Sequence, residues 1–173
     1  MRTRRALGFT IIEILIVVTI AGVMVTIALP NLRDLIVRMR VKTFASDMQA
    51  SLQLARSEAI KRNAGMQVVP VDATNWASGW SVRVQATGTV LLTQDAYSNI
   101  SVRTANAAYA TAALPNVTFS STGRETGSAG AGIAFVVYSP QYSFIQARCV
   151  VISPSGRPAL RNDSDGNQAN GCN

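Results

Sequence analysis

An apolar run near the start of the chain limits its possible folds more than any other feature. The 21 residues from 9 to 29 contain one charged side chain, Glu13. As a helix, this run would be about 32 Å long at roughly 1.5 Å per residue, enough to cross the hydrocarbon core of a bilayer. It follows the short basic segment MRTRRALG. By the positive-inside rule, the sequence predicts one membrane span with a cytoplasmic N-terminus.

Two ordinary explanations of this run fit it poorly. A secretory signal peptide has a shorter apolar region of roughly 7–15 residues that ends in a cleavage site with small residues. A simple membrane anchor has no use for an acid, because a carboxylate in hydrocarbon costs about 2.5–3.5 kcal/mol unless it is paired or lies near the interface. Glu13 is close to the cytoplasmic end, so a position at the interface remains an alternative to a specific function.

The composition removes most catalytic mechanisms. The chain has no histidine, so it lacks the usual general base and the commonest metal ligand. Its two cysteines, Cys149 and Cys172, are too few for a four-thiolate zinc site. In an exported chain they are most simply explained as one disulfide that closes the C-terminal segment. We therefore predict a protein that is not an enzyme and has no metal or cofactor.

The apolar pattern becomes helical after Pro30 and then changes to that of strands. Apolar residues first recur in steps of three and four, which predicts a helix to about Arg62 with Asn63 to Gly65 as its stop and a kink at Pro30. The residues on this face are Val41, Phe44, Met48, Leu52, Ala55 and Ala59. Arg56 and Arg62 are predicted to point away from the domain on which this face packs.

From Met66 onward, short runs with a period of two predict an antiparallel β domain. The predicted strands are 66–71, 79–85, 90–93, 99–103, 116–119, 133–138 and 148–153. Two stretches between them, 104–114 and 120–132, are rich in small residues and are predicted to be exposed loops.

The stretch GFTIIE, residues 8–13, resembles the processing site of type IV prepilins and type II secretion pseudopilins. The resemblance implies cleavage after Gly8, N-methylation of the new first residue Phe9, and a glutamate at the fifth position of the mature chain. Pro30 lies where that family usually has a proline. In this family the carboxylate, here Glu13, is understood to pair with the N-terminal amine of a neighbouring subunit.

Four further stretches resemble the GspH/FimT family of minor pilins and pseudopilins. They are LARSEAIKRN at 54–63, WASGW at 76–80, FSSTGR at 119–124 and the dipeptide GR at 156–157. The resemblance implies an α+β pilin fold, with a long N-terminal helix packed on an antiparallel β-sheet head domain. The implied divisions are a leader peptide at 1–8, a transmembrane and assembly helix at 9–30, an amphipathic half of the helix at 31–62, and a periplasmic head at 63–173.

The resemblance implies a low-abundance type IV pilin that primes or caps pilus assembly. The implied partners are other minor and major pilins, the prepilin peptidase, the inner-membrane assembly platform and the inner membrane itself. The protein would lie in the inner membrane with its head in the periplasm, and after assembly in the pilus or pseudopilus. The alternative is the H-type minor pseudopilin of a type II secretion system. The pair Cys149 and Cys172 favours the pilus, because a C-terminal disulfide loop is familiar there.

A third hypothesis is a DNA-binding minor pilin for natural transformation. Some FimT-like pilins bind DNA through a C-terminal GRxR pattern, and this chain has GRPALR from residue 156, with the second arginine two residues late. If the segment is a strand, Arg157 and Arg161 share a face close to Arg148 and can neutralise two or three phosphates. No aromatic residue lies among these arginines to stack on bases.

Overall fold

One long helix and eight strands make up the part of the chain that the computed structural model describes. This part comprises residues 9–104, 116–128 and 132–164, with the backbone alone for 27–31. The chain forms two compact units, Met1–Ile36 and Val37–Asn173, and the boundary between them lies within the helix.

The helix, α1, runs from Ile11 to Arg62. Its end has the hydrogen bonds of a Schellman motif, in which the Ala64 amide donates to the Ala59 carbonyl and the Asn63 amide to the Ile60 carbonyl. Asn63 has a φ of 50°, the left-handed conformation that this motif requires. The predicted end of the helix is confirmed, with asparagine in the position that glycine most often occupies.

The first unit contains the apolar part of α1, whose side chains between Ile11 and Val25 include many exposed large hydrophobic groups. No helix in the described part of the chain is both long and apolar enough to cross a membrane. The single span over residues 9–30 stays a prediction. The helical backbone continues through Pro30, and the kink there stays a prediction.

The second unit buries one face of α1 against the strands. This face consists of Val37, Val41, Phe44, Ala45, Met48, Leu52, Ala55 and Ala59, none of which is more than 5% exposed. It contains all six residues that the spacing of three and four predicted. The confirmed pattern indicates that packing of this apolar face against the sheets stabilises the second half of the helix.

The strands form two antiparallel sheets of four strands each. The first sheet has the order β3-β2-β1-β5 and the second has the order β4-β6-β7-β8. The strands are β1 Met66–Asp72, β2 Asn75–Val84, β3 Val90–Gln94, β4 Ser101–Thr104, β5 Val117–Phe119, β6 Ile133–Tyr138, β7 Arg148–Ile152 and β8 Pro158–Asn162. The α+β architecture predicted from the sequence, a long helix followed by antiparallel strands, is thus present, with the strands in two sheets.

Aromatic side chains join the helix and the two sheets into one core. Trp76 and Trp80, both fully buried on β2, contact different partners. The Trp76 ring lies 5.1 Å from that of Phe135 in the second sheet, and the Trp80 ring lies 5.2 Å from that of Phe44 on α1 in an edge-to-face arrangement. The two tryptophans are therefore core anchors.

A partly buried polar contact holds the loop after β3 on α1. The Tyr97 hydroxyl donates to the Asp47 carboxylate at 2.5 Å and accepts from the Gln94 amide at 2.9 Å. The Tyr97 ring also stacks on Trp80. Burial first, then the hydrogen bond to Asp47 and the charges of Asp47 and Asp95, raise the pKa of the Tyr97 phenol far above its usual value.

Above about pH 10, the wild-type chain is expected to lose stability faster than Tyr97→Phe. The phenol ionises near its ordinary pKa of 10.0 in the unfolded chain, whereas the folded chain keeps its proton to higher pH. The unfolded state then binds fewer protons, so stability falls as the pH rises. After discounting for solvent screening, we expect the free energy of unfolding of the wild type to fall relative to that of Tyr97→Phe by roughly 0.5–1 kcal/mol per pH unit. Urea unfolding followed by tryptophan fluorescence measures this, and equal slopes for both proteins would contradict it.

The structure meets one condition set by the sequence and corrects one expectation about a loop. Residues 158–162 form the edge strand β8, as the DNA hypothesis assumes for this segment. The predicted loop 120–132 is partly buried over its described residues 120–128, because Glu125 is 5% exposed and accepts hydrogen bonds from the Gly127 amide and the Ser128 hydroxyl. Residues 105–115, most of the other predicted loop, lie outside the described residues.

Candidate functional site

The N-terminus of α1 holds the glutamate that the sequence singles out. Thr10 precedes the helix, and its hydroxyl accepts a hydrogen bond from the Glu13 amide at 3.3 Å. This is the geometry of an N-cap, and the Thr-x-x-Glu spacing is that of a capping box. Glu13 also lies in the first turn, where the helix dipole favours a negative charge by about 0.3–1 kcal/mol. The carboxylate therefore has a role within its own chain that the sequence analysis missed.

An apolar hollow lies beside this carboxylate. It has a volume of about 200 Å³ and is lined by Phe9, Glu13, Ile14, Val17 and Val18. Phe9 is 78% exposed. Among the described residues, Glu13 has no ion-pair partner. The hollow thus presents apolar side chains and one uncompensated negative charge together. Gly8, the residue before the predicted cleavage site, lies outside the described residues.

The structure places Cys149 inside the head. Cys149 lies on β7, is fully buried and is not a free thiol. Its predicted partner, Cys172, lies outside the described residues. The pairing of these two cysteines stays a prediction.

The three arginines of the DNA hypothesis do not form one patch. Arg148 begins β7 opposite Asn162, to which its guanidinium donates a hydrogen bond, while Arg161 lies opposite Cys149. Neighbouring positions of a strand project from opposite faces, so Arg148 and Arg161 lie on different faces of the second sheet. Arg157 precedes β8 at the other end of this hairpin, about 13 Å along the strand at roughly 3.3 Å per residue.

Two turns with the same pattern, S-x-[ST]-G-R, lie back to back in the head. They are residues 120–124 and 153–157, and we call them the twin turns. In each, the first serine hydroxyl accepts from the arginine amide, the serine amide donates to the arginine carbonyl, and the glycine amide donates to the serine carbonyl. Gly123 and Gly156 have φ values of 75° and 78°. A Cβ added at Gly156 would lie 1.9 Å from the Gly123 carbonyl oxygen.

Arg56 connects α1 to both twin turns. Its Nε donates to the Gly123 carbonyl at 3.1 Å, and its Nη2 donates to the Ser155 carbonyl at 3.4 Å. The prediction that Arg56 points away from the head is therefore wrong, because the two turns supply backbone acceptors that periodicity cannot show. Arg56 and Arg157 also line a common hollow, which we call the basic recess.

Comparison with known proteins gives two family matches and a shared fold. The family model described as Type II transport protein GspH matches residues 45–156, and the model described as Prokaryotic N-terminal methylation motif matches residues 3–29. No curated protein matches the chain.

Two similar solved structures are crystal structures of the type IV minor pilin FimU of Pseudomonas aeruginosa (strain PAO1). The form in space group P65 has a TM-score of 0.57 and 23% identity, covering 69% of this chain and 91% of that chain. The form in P21 has a TM-score of 0.58 and 22% identity, covering 72% and 90%. The GspH family model matches more than half of the residues of this chain, and the chain therefore belongs to the GspH family of pilin-like proteins.

Proposed function

We propose that this chain is a minor type IV pilin that primes or caps pilus assembly after cleavage between Gly8 and Phe9 and N-methylation of Phe9. The single observation that supports this best is the exposed hollow at the start of α1, where Phe9 and Glu13 lie together. The methylation motif over residues 3–29 and the fold shared with FimU support the same proposal. The role is structural, so no catalytic chemistry is assigned to the chain.

Charge pairing explains why processing and assembly are coupled. Cleavage after Gly8 creates a positive amine on Phe9. In the filament, this amine pairs with Glu13 of an adjacent subunit, while the apolar lining of the hollow receives apolar side chains. Two charges that leave water together are tolerated only when they pair closely. An uncleaved chain lacks the amine at this position and therefore lacks the counterion.

We further infer the partners and location from the family likeness. Residues 9–30 hold the chain at the inner membrane before assembly, with the head in the periplasm. There it meets the prepilin peptidase, the assembly platform and other minor and major pilins. Cys149 and Cys172 form the disulfide that closes the C-terminal segment, which is tested by the mass change on reduction and alkylation.

Coexpression with a prepilin peptidase is expected to yield a chain that begins at methylated Phe9. Intact-mass spectrometry of the membrane fraction should show the loss of residues 1–8 and the gain of one methyl group. A Gly8→Arg variant serves as the control and should retain Met1, because a large charged side chain replaces the small residue at the cleavage site. A wild-type chain with Met1 intact would overturn the proposal.

A second candidate is the H-type minor pseudopilin of a type II secretion system, which the description of the matching family model favours. Deletion of the gene in its host separates the two. Loss of surface pili with normal protein secretion supports the pilus role, and loss of secretion with normal pili supports the pseudopilus. The separation of Arg148, Arg157 and Arg161 gives no support to DNA binding by these three residues together.

A further inference from the structure

We propose that the basic recess binds a carboxylate on an apolar peptide segment of a neighbouring filament subunit. The recess has a volume of about 360 Å³ and is lined by Gln53, Arg56, Ser57, Ile60, Arg157 and Pro158. This size lies within the range of roughly 300–1,000 Å³ that is typical of ligand pockets. The identity of the partner rests on the proposed function, whereas the binding chemistry does not.

Arg56 is a preorganised donor on one wall of the recess. Its guanidinium has five N–H groups, and two of them donate to the Gly123 and Ser155 carbonyls. These two bonds fix the plane of the guanidinium. Among the described residues, the remaining three N–H groups have no acceptor, so the fork is available to an acceptor from outside the chain. A carboxylate is the acceptor that matches an arginine fork best.

Arg157 supplies a second cation to the lining of the recess. Its backbone is held by the twin turn, with its amide donating to the Ser153 hydroxyl and its carbonyl accepting from the Ser153 amide. Its exposed side chain makes no ion pair with any described residue. The backbone of Arg157 is therefore held in place, and its guanidinium is uncompensated by any described acid.

No acid of the described chain neutralises the recess. The nearest acid along α1, Glu58, is already paired with Arg62 at 2.5 Å and with Lys61 at 3.5 Å. These contacts, led by the hydrogen bond from Arg62, lower the pKa of the Glu58 carboxyl. Two guanidinium groups thus line one hollow with no acid among its lining residues, and an anion from a partner relieves their repulsion.

The uncharged lining favours a peptide over a nucleic acid. Ile60 is 53% exposed beside the recess, and Pro158 contributes a second apolar surface. These groups suit an acidic residue with apolar neighbours. The lining includes no aromatic side chain on which a base could stack. A carboxylate held by Arg56 and Arg157, with apolar contact to Ile60, is the occupant that matches the whole lining.

Peptide titration of the full-length protein in detergent micelles tests the binding chemistry. The probes are acetyl-Leu-Glu-Leu-amide and its neutral counterpart acetyl-Leu-Gln-Leu-amide, and the readout is the NMR shift of the arginine Nε–H signals. We expect the glutamate peptide to bind with a Kd of about 1 mM and the glutamine peptide to cause no shift. Arg157→Gln should weaken binding at least about fivefold, the loss of one charge-assisted contact.

Arg124→Gln is the matched control, because Arg124 occupies the equivalent position of the other twin turn and is exposed but does not line the recess. It should bind the glutamate peptide as the wild type does. Equal shifts with both peptides, equal weakening in both variants, or a stronger response to duplex DNA than to the glutamate peptide would overturn the proposal.

Incorporation into filaments tests the partner. In sheared filaments, Arg157→Gln should be reduced at least about threefold relative to wild type, while Arg124→Gln should not be reduced. Equal incorporation of both variants overturns the assignment to a filament subunit. If the wild-type chain itself is absent from filaments, the proposed function fails, and the peptide titration still decides whether the recess binds a carboxylate.

Discussion

Chains that carry Glu13→Ala are expected to be at least about tenfold less abundant in filaments than wild-type chains. Removing one partner of a buried charge pair leaves the other charge unpaired, which costs about 3–5 kcal/mol, and a tenfold change corresponds to only about 1.4 kcal/mol. The ratio of filament-associated to total protein on immunoblots measures this. Glu13→Gln, which keeps the shape and removes the charge, should give the same loss.

The Thr10 cap provides the control for this experiment. Thr10→Ala removes the acceptor of the Glu13 amide and should cost about 1 kcal/mol of helix stability, yet it keeps the carboxylate. We expect its incorporation to stay close to that of wild type. If Thr10→Ala and Glu13→Ala are lost from filaments equally, the start of the helix and not the charge determines assembly, and the proposed pairing is wrong.

Gly156→Ala is expected to destabilise the head by about 2–5 kcal/mol. Its φ of 78° lies in the left-handed region, which costs an alanine about 1–2 kcal/mol. The new Cβ would also lie 1.9 Å from the Gly123 carbonyl oxygen, and backbone on both sides must then move. Urea unfolding followed by the fluorescence of the two buried tryptophans measures the change.

Gly88→Ala separates the two causes. Gly88 has a similar φ of 70°, but no atom lies within 4 Å of an added Cβ. We therefore expect only the conformational cost of about 1–2 kcal/mol. Equal destabilisation by both variants would show that the contact between the twin turns adds nothing to stability.

The sequence predicts those parts of the fold in which apolar residues recur with a short, regular spacing along the chain. The buried face from Val41 to Ala59 and the end of α1 at Arg62 both follow from local patterns, as do most strands. Each apolar residue there lies on one face of a helix or strand, so many positions indicate the same buried face. Processing at Gly8 and Phe9 is likewise a local motif, although its occurrence in this chain still requires the mass measurement.

Contacts between distant segments could not be predicted in this way. Arg56 is a surface residue by helical periodicity, and only the folded chain brings it to carbonyls 67 and 99 positions away. Glu125 is buried although its segment is polar, and the Ser128 amide and hydroxyl of the same loop donate hydrogen bonds to its carboxylate. Two signals were nevertheless visible: the Thr-x-x-Glu spacing at Thr10, and the repeated S-x-[ST]-G-R pattern of the twin turns.

The arrangement of the twin turns determines where the head can accept inserted sequence. The first turn follows β5 of one sheet, and the second joins β7 to β8 of the other. An epitope or fluorophore loop inserted in either turn would separate Gly123 from Gly156 and so disrupt the contact that joins the two sheets. The bend around Gly88, with open space on its outer side, is the better position for a label that leaves the architecture of the head intact.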